Sequence, residues 1–152
     1  MYVKSLYIKE EKHGKVKDIS KGFFQRDKGL VGDINAQGGL KQVSIISSEG
    51  REKVKNKNGL CTKKFYANIE IHGLNIDKLY KGQKLKIGNT IQEITVIGKE
   101  CFPDCDLLEE ESLCPLPTSV IFTRVIEEGT VEIGNPVDVE WVSNIDLIYT
   151  ES

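Results

Sequence analysis

Isoleucine and valine dominate the aliphatic residues of this chain: 17 Ile and 12 Val stand against 2 Ala. Both dominant types are branched at Cβ, stiff at χ1 and suited to a pleated surface, whereas alanine is the best helix former. The 14 glycines supply turns. A chain of this kind folds as sheet, with short strands separated by glycine turns. Its 152 residues fit one domain, which we place over residues 1–152. A chain of that size buries roughly 68–70% of its unfolded surface and needs no staple to form a core. Charged residues make up 29% and hydrophobic residues 39%, which excludes a disordered, collagen-like or coiled-coil chain. The formal net charge of −2 argues against a dedicated nucleic-acid binder.

Strand patterns recur at short spacing. Residues 2–8 alternate, with Tyr2, Lys4, Leu6 and Ile8 opposite Val3, Ser5 and Tyr7. Residues 9–20 read as a hairpin turn or exposed loop around Gly14. A glycine-rich stretch, residues 29–39, leads into a strand at 42–46. Residues 47–58 are the best helix candidate, although Gly50 lies inside it. Further strands are expected at 65–71, 85–87, 90–97, 119–126, 131–133 and 137–142. In the 90–97 strand, Ile91, Thr95 and Ile97 are expected on one face. The segment 100–117 breaks the rhythm with three prolines and three cysteines, and a capping-box pattern from Asp106 to Glu109 predicts a short helix there. Many short strands with one or two helices predict a mostly β fold, a closed or partly open β-barrel or a sandwich. No stretch of 18 apolar residues is present, and the N-terminus lacks the apolar core of a signal peptide, so a cytoplasmic protein without membrane contact is expected.

Several catalytic signatures are absent: there is no P-loop, dinucleotide-binding glycine motif, zinc-protease helix or nucleophile elbow. His13 and His72 read as surface residues. The cysteines carry more information. Cys101 follows a buried-looking strand and stands two residues after Lys99; positive charge lowers a thiol's pKa, and the thiolate is the reactive form. Cys101, Cys105 and Cys114 have a spacing that would also provide three thiolate ligands to zinc or iron. Buried structural cysteines are the plain alternative, but three in a proline-broken loop favour chemistry. The turn Gly29-Leu30-Val31-Gly32-Asp33 offers backbone N–H groups to an anion, or simply closes an Asx turn before a strand. Lys41 and Gln42 follow closely. The lysines at 53, 55, 57, 63 and 64 read as a solvated face.

These stretches occur in an order that resembles the MOSC domain, named for the C-terminal domain of molybdenum-cofactor sulfurase. The matching elements are Gly29 to Asp33, Lys41-Gln42-Val43-Ser44-Ile45-Ile46, Asn68-Ile69 with Gly73, Leu85-Lys86-Ile87-Gly88, Lys99-Glu100-Cys101, and Val120 to Val125 with Gly129 and Gly134-Asn135. The resemblance runs from Tyr2 to Val139 and is nearest to the small stand-alone bacterial branch. It implies a barrel-like β fold and a role in sulfur transfer or in binding the molybdenum cofactor, with pyridoxal phosphate an association of the wider family. By this resemblance Cys101 is the sulfur carrier or molybdenum ligand. Gly32, Asp33, Lys41, Gln42, Asn68 and Lys99 are the residues expected around the cofactor. A sulfur donor or acceptor protein is the expected partner, and sulfur transfer is the reaction if the protein turns over. A thiolate metal module built on the three cysteines, or a molybdenum-dependent reductase of N-hydroxylated compounds, is the alternative. Asn35 stands where the family has histidine, and Lys41 where it has arginine, so the bidentate guanidinium fork is missing.

Overall fold

The structure, a computed structural model, describes residues 1–55, 66–98 and 119–140. Eleven strands account for about half of these: β1 (Tyr2–Ile8), β2 (Lys17–Ile19), β3 (Lys21–Gln25), β4 (Gly29–Leu30), β5 (Val43–Ser47), β6 (Ile69–His72), β7 (Lys84–Ile87), β8 (Thr90–Ile97), β9 (Val120–Glu127), β10 (Gly129–Glu132) and β11 (Val137–Val139). One helix, α1 (Ser48–Lys55), follows β5, and a single 3₁₀ turn covers Ile76–Lys78. The fold is mostly β, as the aliphatic composition predicts.

Eight strands form one sheet in the order β11-β7-β8-β9-β5-β6-β1-β2, and β10-β3-β4 form a second. Within them the β5–β6 pair is parallel, with Ile45 opposite Ile69. Parallel neighbours need a crossover between them, and α1 begins that connection. The large sheet curls until its two sides meet. Tyr2 bridges to Pro136, and backbone N–H groups of Val3, Gly134 and Val137 donate to the carbonyls of Asn135 (2.9 Å), Val3 (2.7 Å) and Met1 (3.1 Å). These bonds give β11 and the start of β1 the partners that an open edge would lack.

The interior holds Val3, Leu6, Ile45, Ile69, Ile71, Leu85, Ile87, Ile94, Ile121 and Val125, all essentially inaccessible. Two bulges decide which residues face inward. In β1 the register shifts between Val3 and Ser5, so Val3 joins Leu6 and Ile8 inside, although plain alternation sets them apart. In β8 plain alternation buries Thr90, Gln92 and Ile94 and leaves Ile91 and Thr95 together on the half-exposed face; the extra residue Thr95, between the pairs Ile94–Thr123 and Val96–Phe122, then lets Ile97 leave that face and pack against the core. The two buried polar residues satisfy each other. The Gln92 amide donates to the Thr90 hydroxyl (3.1 Å), which donates to the Ile87 carbonyl (2.8 Å), and the Thr123 hydroxyl donates to the Gln92 side-chain carbonyl.

Other boundaries shift for local reasons. Of the two readings for residues 9–20, the hairpin turn is the one formed, and its return strand β2 lies within that stretch, paired with β1 at Leu6–Ile19 and Ile8–Lys17. The helix begins one residue later than expected because Ser47 caps it, accepting from the Gly50 N–H at 3.0 Å. The strand expected at 65–71 forms at Ile69–His72, since Asn68 is diverted to side-chain bonding with Ser44. The short helix expected from Asp106 to Glu109 lies outside the described residues.

Replacing Ile69, fully buried between β5 and β1, with alanine should cost about 2–5 kcal/mol. Ile133→Ala, at a site 46% exposed, should stay within about 0.5 kcal/mol. Urea unfolding of the two variants checks the assignment of the core.

Candidate functional site

The glycine-rich turn has a steric basis. Gly29 adopts φ +125°, and a Cβ there would stand 2.5 Å from the Gln42 carbonyl oxygen. The chain therefore passes directly over the start of β5. Beyond it, Gly32 at φ +93° sets up the turn that presents Asp33. The Asp33 carboxylate is buried and accepts from the N–H groups of Lys9 (2.9 Å) and Asn35 (3.0 Å) and from the Tyr66 hydroxyl (3.0 and 3.1 Å to its two oxygens). Asn35 donates its side-chain amide to the same phenol at 3.0 Å. Burial, and after it the Asp33 carboxylate, pushes the Tyr66 phenol well above its usual range.

Asn68 is the next link. Its side-chain oxygen accepts from the Ser44 N–H (3.1 Å) and hydroxyl (3.2 Å), and its amide donates to the Tyr7 carbonyl at 3.3 Å. Two residues before Ser44, Gln42 is 2% exposed and ties the turn to the far strand: its amide donates to Gly39 O (2.9 Å) and its oxygen accepts from Val125 N (3.0 Å). Lys41, between this clamp and Leu40, remains exposed, and its ammonium lies 5.1 Å from the Phe122 ring centroid. Such a contact is worth about 0.5–1 kcal/mol at an exposed site. The Thr95 hydroxyl is within bonding reach of the Leu40 carbonyl and, at 3.1 Å, of the Phe122 carbonyl.

The turn before β5 is thus folded across β9 onto the outer side of β8. Strand β8 ends at Ile97; Gly98 donates to Val120 O at 2.7 Å, and the chain continues into Lys99-Glu100-Cys101. Asp33, presented by Gly32, is joined to Asn68 through Tyr66 and Ser44, while Gln42, next to Lys41, ties the same turn separately to β9. Lys99, Cys101, Cys105 and Cys114 lie outside the described residues. Among the described residues no three His, Cys, Asp or Glu side chains converge as a metal site would require.

Of the expected cofactor-binding side chains within the network, Lys41 keeps its charged group at the surface, a chemistry that fits a phosphate. Asp33, Gln42 and Asn68 use their polar atoms inside the protein and hold the turn from behind. Tyr66, Thr95 and Phe122 are partners that spacing alone did not single out. The one available signal was Tyr66, two residues before Asn68 and on the same side of an extended segment.

A separate open cleft of about 910 Å³ lies at the other end of β5 and β6, beside the first turn of α1. Ser47, Ser48, His72, Asn75 and Ser119 are among its lining residues. His72 is exposed, as expected, and stacks on Tyr2 with ring centroids 4.9 Å apart.

No family model matches the sequence, and no curated protein matches it. Solved structures do. The YuaD protein from Bacillus subtilis superposes with a TM-score of 0.69 at 18% identity, covering 93% of this chain and 96% of that one. YiiM from Geobacillus stearothermophilus gives 0.63 at 17%, covering 97% and 83%. YiiM from Escherichia coli gives 0.61 at 14%, covering 94% and 71%. At these identities the likeness is one of fold, and the fold is MOSC-like.

The raised Tyr66 pKa has a sign that can be tested. The phenol ionises near pH 10 in the unfolded chain and higher in the folded one. Its contribution to stability is therefore intact below about pH 10 and is lost as pH rises toward the folded value. Urea midpoints measured either side of pH 10 should fall more steeply for the native chain than for Tyr66→Phe.

Proposed function

We propose that this protein carries sulfur or binds the molybdenum cofactor through the thiolate of Cys101. The observation that supports the reading is the path of the turn before β5. Gln42 and Thr95 hold that turn across β9, so Lys41 is displayed beside the strand that runs on to Lys99-Glu100-Cys101. A displayed cation, with a lysine and a cysteine following β8 in the sequence, suits an anionic, sulfur-rich ligand. The MOSC-like fold is the second support.

The chemistry asked of the chain is modest. Lys99 and Lys41 favour the thiolate over the thiol by charge, and thiolate is a soft ligand suited to molybdenum or to sulfane sulfur. As a carrier, the Cys101 thiolate attacks the terminal sulfur of a donor persulfide. The new S–S bond leaves a persulfide on Cys101, and the donor departs as its own thiolate, so no external oxidant is needed. When bound, the molybdenum cofactor would supply redox chemistry at the metal; Lys41 and Lys99 would hold its phosphate and Cys101 its metal. A protein that donates or accepts sulfur is the partner this reading requires. We infer a single domain across the chain. Among the described residues no helix is long and apolar enough to cross a membrane.

Cofactor binding by the purified chain, followed by quenching of pterin fluorescence, tests the proposal. Cys101→Ser should abolish stable binding. Lys41→Ala should weaken it by roughly 5–10-fold at low salt, with a smaller difference at high salt. Undiminished binding by Cys101→Ser would remove the basis of the reading.

A further inference from the structure

The open cleft beside α1 has a floor of one chemistry and a rim of another. Three serines meet on the floor. Ser47 and Ser119 are 7% and 5% exposed, and Ser48 opens the first turn of α1. The point that a Cβ on Gly50 would occupy lies 2.6 Å from the Ser119 hydroxyl oxygen and 3.0 Å from that of Ser47, so the two hydroxyls are within reach of one small group. Their bonding is incomplete. The Ser47 oxygen accepts from the Gly50 N–H at 3.0 Å, but its proton goes to no group among the described residues. Among the same residues the Ser119 hydroxyl has no partner, and neither has the buried Ser48 hydroxyl. Buried hydroxyls are normally paired, because an unmade bond there is costly. Hydroxyl donors and a helix N-terminus, which carries partial positive charge, thus stand together where an acceptor is wanting.

The rim is acidic. Glu49, Glu52 and Asp77 set three carboxylates against the Lys4 ammonium, whose ion partner is the buried Glu70 carboxylate at 3.6 Å. All four rim side chains are exposed. A multiply charged anion such as phosphate is repelled by these carboxylates on its way to the floor. A simple amine finds the carboxylates but brings no acceptor to the serines. A molecule with a carboxylate at one end and an ammonium at the other suits both zones.

We propose that this cleft binds a small zwitterionic amino acid, its carboxylate accepting from the Ser119 and Ser47 hydroxyls at the N-terminus of α1 and its ammonium held at the acidic rim. The volume of about 910 Å³ leaves ample room for such a ligand. The site uses no residue of the Lys41 surface and does not depend on Cys101.

The experiment titrates the full chain, labelled with nitrogen-15, with glycine, β-alanine and 4-aminobutyrate, which differ in the spacing of their two charges, and follows the amide signals by NMR. At least one of the three should shift the Ser48, Gly50 and Ser119 signals saturably. Butyrate and propylamine, each carrying one of the two charges, should bind at least about tenfold more weakly. Ser119→Ala should weaken the best probe by about 5–10-fold. Because the hydroxyl it removes holds nothing among the described residues, the urea midpoint of that variant should match the native one. Asp77→Asn should weaken binding by about 2–5-fold, and by less at high salt. Saturable shifts with none of the three probes, equal binding of butyrate or propylamine, tighter binding of inorganic phosphate, native binding by Ser119→Ala or Asp77→Asn, or a lowered urea midpoint in Ser119→Ala would each overturn the proposal.

Discussion

The carboxamide of Gln42 joins two parts of the chain that the strand ladder leaves apart. One end accepts from Val125 in β9, and the other donates to Gly39 in the turn. The bond to Val125 is buried and the bond to Gly39 partly so; an unmade buried bond costs about 1–3 kcal/mol, so the turn has one favoured position. Gly29 makes that position sterically available by letting the chain cross the Gln42 carbonyl. Lys41 then has little choice but to lie along Phe122. The displayed cation and its place beside β8 both follow from this clamp.

Behind the clamp, the network through Ser44, Asn68, Tyr66 and Asp33 is a structural support that carries family-like motifs. In the sequence Asp33 and Asn68 look like candidate ligands. In the fold their oxygens and amides are already paired, with Asp33 accepting from Lys9, Asn35 and Tyr66 and Asn68 bonded to Ser44 and Tyr7. Motif residues can thus shape a site without touching what binds there. Asn35 donates its side-chain amide to Tyr66, which gives it a local structural role.

Much of the fold was legible because β-branched residues and glycine turns mark strands directly: the 90–97 strand and the strand beginning at Val137 both stand where periodicity puts them. What alternation could not show was which face turns inward at a bulge. Val3 is buried with Leu6 because one extra residue in β1 reverses the pleat, a shift that leaves no mark on hydrophobicity, and alternation alone does not say that the face holding Thr90, Gln92 and Ile94 is the one turned inward. Nor could spacing reveal the closure of the sheet through Tyr2 and Pro136, a contact between chain segments far apart in sequence. Within the site, Lys41 and Gln42 were readable as polar residues at a strand start. The division between the residue that faces a ligand and the one that positions it depends on the side chain's direction, which needs coordinates.

The most direct test of the central claim is to incubate the reduced protein with a sulfane-sulfur donor and weigh each cysteine-containing peptide. The account predicts a gain of one sulfur atom on the Cys101 peptide, reversed by a thiol reductant. Sulfur on no peptide, or only on those of Cys61, Cys105 or Cys114, would contradict it.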